Sequence, residues 1–523
     1  MSTFRNRREF LALAGAAGTA GALALTGCGG GAEGGTESGG GADDKARPKR
    51  GGEFRALFTG GGEAETIDPH AEALAIDMAR TKALFDRLVD LDSTMTPVPR
   101  LAEKWESDAD ATVWRFTLRD ALFHDGKKLT PEDVLFSFAR ILDPKATSHF
   151  AQALLSVIDL KKSRGVGKNV VELTLTRPAA ELPALLGTLG TGIVSARYLD
   201  PAKPVGTGAF RLKSFQAGRS FAAERFDDHW DGGAYVDELR ILSADADARG
   251  NALRGGEAEY GYEMTPTFAR TAQADTSVRI IAAKGSTAQA IVMKCDQEPF
   301  DNPDVTLAFK LLADRQKLVD VVLAGQGVVG NDMFGKGYQY YPEDVPQRQR
   351  DVSEARALLK KAGVLNRTLS IYTSSVANGF VEAATLFAEQ AADAGLRIRI
   401  TNGSSDTYFK DQLTKGVMGS HRSGAMTIPN YLNDRLLTKS AFNASGWRRK
   451  DFDADFAKAQ STTDDAERTR LYGDLQRTVH EEGGLLMWGH PDWLNAVSSR
   501  VRGVDEAPPN TLDSARFDKV WLA

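Results

Sequence analysis

The chain of 523 residues has only two cysteines, Cys28 and Cys295, so at most one disulfide is available, and none if either thiol is otherwise engaged. It also lacks a glycine-rich phosphate loop ending in Gly-Lys-Ser or Gly-Lys-Thr; Gly60-Gly61-Gly62 has no such lysine and reads as a turn. ATP hydrolysis by this chain is therefore not expected. The seven histidines, His70, His124, His149, His229, His421, His480 and His490, show no paired helical spacing and no neighbouring cysteine, so no metal site is expected. No serine lies in a Gly-x-Ser-x-Gly elbow, and acids such as Glu481 and Glu482 are adjacent and point apart on a helix. Neither a catalytic residue nor a cofactor is expected. Basic residues form no stripe, and a formal net charge of −5 argues against nucleic acid as a partner.

Long apolar runs are scarce too. A bilayer crossing needs about 20 apolar residues, and the run Val319 to Leu323 is broken by charges on both sides. At the start, Arg7-Arg8 precedes Glu9-Phe10-Leu11 and an uncharged stretch of Ala, Leu and Gly through Gly27. This is the pattern of an export leader, residues 1–27, too short to span. The paired arginines resemble a twin-arginine signal; Asn6 stands where that pattern has Ser or Thr, which leaves the general secretion route open. Leu25-Thr26-Gly27-Cys28 resembles the lipobox of bacterial lipoproteins, which implies a diacylglycerol on Cys28 and attachment to the extracytoplasmic face of the cell membrane. Cys295 then has no partner and is expected as packing at a strand end. The Gly-rich segment 28–50 cannot bury enough apolar surface to fold and reads as a tether.

The remainder exceeds what one hydrophobic core serves, so two or three domains are expected. Strict alternation in Val113-Trp114-Arg115-Phe116-Thr117-Leu118-Arg119 predicts a half-buried strand. Thr130-Pro131-Glu132-Asp133 predicts a capped helix to Leu142. A Leu-rich helix is expected from Pro178 through about Leu189, and a long one from Asn302 to near Gly325. Strands over 210–215, 220–226 and 236–242 follow one another without helices. Beyond Ala290 strands and helices alternate, giving a βαβ unit at 369–400 and a mostly parallel sheet. The class is α/β, with no internal repeat.

Aromatic and polar residues gather in the turn regions: Tyr260 and Tyr262; His421 and Arg422 with Met426; Asn430 and Tyr431; Phe442 and Asn443 with Trp447; Trp488 with His490. Flat apolar walls with convergent polar groups suit a small polar solute. Arg422 stands out because its planar fork can grip a carboxylate through paired hydrogen bonds.

Thr66-Ile67-Asp68-Pro69, Leu101-Ala102-Glu103-Lys104-Trp105, Phe123-His124-Asp125-Gly126, Pro204-Val205-Gly206-Thr207-Gly208-Ala209-Phe210 and Phe300-Asp301-Asn302-Pro303-Asp304-Val305 occur in the order found in one family. The mature chain resembles the extracytoplasmic solute-binding proteins of the peptide/nickel ABC importers, family 5. The resemblance implies a type II (cluster C) periplasmic-binding-protein-like fold, with two lobes around a hinged cleft and an extra third domain. Its boundaries would be domain I at 51–90, 203–284 and 488–523, domain II at 91–202 and domain III at 285–487. It further implies a monomer that hands a short peptide to separate permease and ATPase subunits and catalyses nothing. Peptide-binding relatives carry an aspartate for the ligand's amine, but the matching segment Ser423 to Leu432 has no acid before Asp434. Either another acid such as Glu65 takes the amine, or the solute is not a peptide. A nickel or metal chelate, an oligosaccharide, an opine or a siderophore are the alternatives.

Overall fold

Period-two burial lays down the first sheet. In the computed structural model, which describes residues 47–523 apart from 72, 73, 147, 148, 199 and 413, the strand Glu53–Phe58 turns Phe54, Ala56 and Phe58 into a core. The leader, Cys28 and nearly all of the tether lie outside the described residues. Seven strands make this sheet, in the order Val278–Ala283, Trp493–Ser498, Tyr260–Gly261, Glu53–Phe58, Glu238–Ser243, Ser220–Arg225, Phe210–Gln216. Glu53–Phe58 runs parallel to both neighbours, whereas the outer pairs are antiparallel.

A second, four-stranded antiparallel sheet takes Ala102–Ser107, Val113–Leu118, Val170–Thr174 and Arg164–Val166. Trp114, Phe116 and Leu118 face inward as the alternation requires. The helix Pro131–Ile141 packs in the same core through Val134, Phe138 and Ile141. Its start is set locally: Asp133 Oδ2 accepts from the Thr130 amide at 2.9 Å and the Thr130 hydroxyl at 2.8 Å, and Pro131 occupies the first turn, where a missing N–H costs nothing.

The third sheet has six strands, in the order Gly327–Val329, Leu485–Pro491, Ala288–Met293, Met418–Ser423, Thr368–Thr373, Arg397–Asn402. Thr368–Thr373, the helix Phe380–Ala392 and Arg397–Asn402 form the βαβ unit, with both strands parallel. Only two of its five pairings are parallel, because Ala288–Met293 is antiparallel to both of its neighbours and Gly327–Val329 is antiparallel to Leu485–Pro491.

Two helices differ from the sequence expectation. The Leu-rich segment is helical only over Leu182–Leu186. Pro183 is tolerated in a first turn but not further along a helix, and the buried Glu181 before it is tied down by Tyr340 and Arg468. The long helix after Asn302 is two, Pro303–Leu312 and Arg315–Val322. Asp314 leaves helical geometry to accept the Lys317 amide at 3.0 Å, restarting the helix as a fresh N-cap. Cys295 is a half-buried free thiol just past Ala288–Met293, pushed up to about 11 by burial.

The chain passes between the seven- and six-stranded sheets at two places, from Ala283 to Ala288 and from Pro491 to Trp493. Asp492 occupies the second passage and ties it to the first: its Oδ1 accepts from the Gly285 amide at 3.0 Å and its Oδ2 from Lys284 at 2.7 Å. Gly285 has φ +58°, a conformation that a side chain would strain. This double crossing sets the neighbourhood of the site.

Candidate functional site

A cavity of about 350 Å³ lies beside the double crossing, with walls from both sheets. From the seven-stranded side come Tyr262, Glu263 and Met264, after the strand Tyr260–Gly261, together with Trp493. The six-stranded side contributes Gln289 and the end of Met418–Ser423, where Arg422 pairs in register with Gln289. Pro509 and Asn510 also line the cavity. Their segment is anchored by Lys82, whose ammonium donates to the carbonyls of Thr511 at 2.6 Å, Leu512 at 3.0 Å and Ser514 at 2.6 Å. Burial lowers that lysine to about 7. Asn510 in turn donates to the Ala425 carbonyl at 2.8 Å. Ala425 and Asn510 also border a smaller, mostly apolar pocket of about 90 Å³ that holds Met426, Asn430 and Asp434.

The cavity contains two unsatisfied charges and one unsatisfied acceptor. Arg422 is exposed there; its guanidinium carbon lies 5.6 Å from the Phe409 ring centroid, and it has no ion pair among the described residues. Glu263 is exposed on the opposite wall, also without a hydrogen bond or ion pair to its carboxylate among the described residues. Desolvation by the surrounding walls pushes that carboxyl above the ordinary glutamate value, while Arg422 and Arg249 pull it the other way. Gln289 is 8 % exposed; its amide nitrogen donates to the Asn378 carbonyl at 2.9 Å, and its Oε1 is buried with no partner. A buried carbonyl left unpaired costs about 1–3 kcal/mol, so a ligand N–H directed at it would be favoured.

The residues singled out from sequence divide between the cavities and the cores. Tyr262 and Arg422 meet in the large cavity, and Met426 and Asn430 in the small one. Tyr262 also stacks on Phe58, with ring centroids 4.7 Å apart. Glu65 is buried in an ion pair with Arg80 at 2.7 Å and accepts the amides of Gly61 and Gly218. Burial alone would raise its carboxyl, but these hydrogen bonds and the Arg80 charge bring it below the usual value. Tyr260 packs against Phe58 and Phe517, and Tyr431 stacks on Phe334 at 4.0 Å. Trp447 packs edge-on to Phe452, and Trp488 sits in the core of the six-stranded lobe. Asn443 braces a loop through the Trp447 carbonyl, and Phe442 is an exposed platform for Arg435. His421 bonds Gln412 and is lowered to about 3; His490 bonds the Thr287 carbonyl and is lowered to about 4, both by burial. Both are neutral at physiological pH.

Sequence reading passed over Glu263, Gln289, Trp493 and Asn510. A signal existed for Glu263: an acid between Tyr262 and Met264, two residues before the Thr265-Pro266 helix start, interrupts an otherwise apolar turn. Gln289 carried none, because an amide inside a strand is indistinguishable from an ordinary edge residue.

Two sheets joined by a double crossing, with a cavity between them that carries Arg422 and Glu263, define a two-lobe solute-binding protein. The family model for bacterial extracellular solute-binding proteins, family 5 middle, matches residues 96–444, and the chain belongs to that family. It is accordingly an extracytoplasmic binding component of an ABC importer and not an enzyme. It is 25% identical over 465 residues to di/tripeptide-binding protein 2 of Pseudomonas aeruginosa, covering 80% of this chain and 86% of that one. To heme-binding protein A of Haemophilus influenzae it is 27% identical over 473 residues, covering 82% and 86%. The fold matches the periplasmic binding protein DppA from Helicobacter pylori in complex with peptide STSA, with a TM-score of 0.72 and 23% identity over 91% of this chain and 98% of that one.

Proposed function

We propose that this protein captures a short peptide outside the cytoplasm and delivers it to the permease and ATPase subunits of its importer. The observation that carries this reading is the unpaired Arg422 guanidinium in a cavity walled by both lobes. A carboxylate received there gains two parallel charge-assisted hydrogen bonds. Tyr262, Trp493 and Met264 supply apolar walls for side chains, and lobe closure over the bound solute shifts the population toward the form that the permease accepts. The similarity to a di/tripeptide-binding protein supports the peptide class.

A second reading, a carboxylated solute that is not a peptide, is favoured by one feature. The loop after Met418–Ser423 presents no acid to the cavity; Ala425 is buried there and its carbonyl is taken by Asn510. Titration calorimetry with di- and tripeptides, their carboxamides, and simple carboxylates separates the two. Binding of peptides that is lost on amidation and in Arg422→Ala supports the first. Equal binding by the Arg422→Ala protein removes that residue from the site.

Cys28 carries the lipid that holds a monomer at the membrane, and the folded body divides into segments 51–90, 203–284 and 488–523, then 91–202, then 285–487. Intact mass of protein extracted from membranes, compared with Cys28→Ala, tests the anchor; recovery of the unmodified chain in the membrane fraction would overturn it.

A further inference from the structure

The peptide reading leaves the ligand's ammonium without a partner, since the acid that would meet it is absent from the 423–432 segment. The structure narrows the choice among the remaining acids. Glu65 is fully engaged by Arg80 and by the amides of Gly61 and Gly218. Asp434 borders the small pocket, but Asn433 donates to it at 3.1 Å. Glu263 alone of the three projects an uncommitted carboxylate into the cavity that holds Arg422.

Its backbone is fixed for that purpose. Glu263 has φ +52°, a left-handed conformation that a residue with a side chain adopts at a cost of about 1 kcal/mol or more. Neighbouring hydrogen bonds hold it there: its amide donates to Asn495 Oδ1 at 3.0 Å, its carbonyl accepts from Arg249 Nη2 at 3.0 Å, and the Met264 amide donates to the Leu494 carbonyl at 2.6 Å. The main chain is therefore held on both sides of the residue while the carboxylate remains free. Opposite it, Gln289 presents an orphaned buried carbonyl oxygen beside Arg422.

We propose that Glu263 is the ammonium-binding residue of this site, and that the cavity selects zwitterions by engaging a ligand's amine from one lobe and its carboxylate from the other. This rests on the peptide reading and sharpens it. Gln289 Oε1 accepts an N–H of the same ligand. A molecule with both charges bridges the lobes and favours closure, because its contacts with Glu263 and Arg422 form together only when the cleft narrows. A ligand with one charge blocked attaches to one lobe and leaves that coupling unused.

The test uses the full-length protein with a tripeptide pool in free, N-acetylated and C-amidated forms, read by native mass spectrometry and by scattering for closure. Wild type should prefer the free pool over the acetylated pool by about 10- to 100-fold, and only the free pool should compact the protein. Glu263→Gln should abolish the preference against acetylation while keeping the preference against amidation; Arg422→Gln should do the reverse. Glu263 is exposed, and unchanged thermal melting of Glu263→Gln checks that folding is intact. A Glu263→Gln protein that still discriminates against acetylation as wild type does overturns the proposal and leaves the peptide reading standing. Equal weakening of all three pools also overturns it, by making Glu263 a lobe-to-lobe contact instead. If wild type retains no peptide form at all, the peptide reading falls and this inference falls with it.

Discussion

Glu65 and Glu263 belong to the same seven-stranded lobe, and the contrast between them separates structure from function. Glu65 meets Arg80 at 2.7 Å with both side chains almost fully buried, and backbone amides satisfy its remaining capacity. That arrangement is complete within the lobe and leaves nothing to offer a ligand. Glu263 faces Arg422 across the cavity with neither charge neutralised by a close partner. A charge held in a partly desolvated cleft without a partner is unfavourable for the empty protein, and that cost is what a complementary ligand removes.

The buried pair should respond most strongly to substitution. Arg80→Ala should lower unfolding stability by about 3–5 kcal/mol, because Glu65 is left charged and unpaired in the interior; urea denaturation measures it. A loss below 1 kcal/mol would mean that the pair contributes no more than a surface contact. Peptide affinity measured well below the melting temperature should stay unchanged.

Acid should act on the lobe interiors in the same sense. Burial lowers His421 to about 3 and His490 to about 4, so the folded chain refuses protons that the unfolded chain accepts between those values and about 6.5. Their contribution is complete above about pH 6.5 and is lost as pH falls through that window, by up to about 1.4 kcal/mol per pH unit for each histidine. Stability followed against pH in wild type and in His490→Gln should show the shallower slope in the variant. An identical slope would mean that His490 is solvated.

At the cleft the expected pattern reverses. Arg422→Ala should cost about 2–5 kcal/mol of peptide binding while changing stability by no more than about 0.5 kcal/mol, as read by calorimetry and thermal melting. A drop in stability without a drop in affinity would place Arg422 among the structural pairs. At the crossing, Asp492→Asn weakens the tie to Lys284 and the Gly285 amide, and should cost about 1–2 kcal/mol and broaden the open-state population seen by scattering. The smallest effect belongs to Phe442, which is 54% exposed under Arg435. Phe442→Ala should change stability by about 0.5 kcal/mol or less.

Much of the local structure was legible in the sequence. The Thr130-Pro131 helix start, the alternation of Trp114, Phe116 and Leu118, and the βαβ unit closed by Gly395 all follow from capping, periodicity and turn chemistry acting over a few residues. The division of the Asn302–Gly325 helix was less visible, since Asp314 is acceptable within a helix and becomes a cap only through its side-chain bond to Lys317. For the site, Tyr262 and Arg422 were reachable because an aromatic or an arginine in a turn draws notice. Tyr260, Tyr431 and Trp488 satisfied the same rule and are core residues, because a turn aromatic can pack inward or line a cavity equally well.

What the amino-acid order determined by itself was the leader pattern, the family motifs and most element boundaries, since each depends on interactions between near neighbours in the chain. Only the tertiary structure decided which charges were spent and which were left free. Arg80 closes on Glu65 over 15 positions, whereas Glu263 and Arg422 are 159 residues apart and meet only because two crossings bring the sheets together. Electrostatic complementarity depends on distance through space and on desolvation, and neither is written in sequence separation.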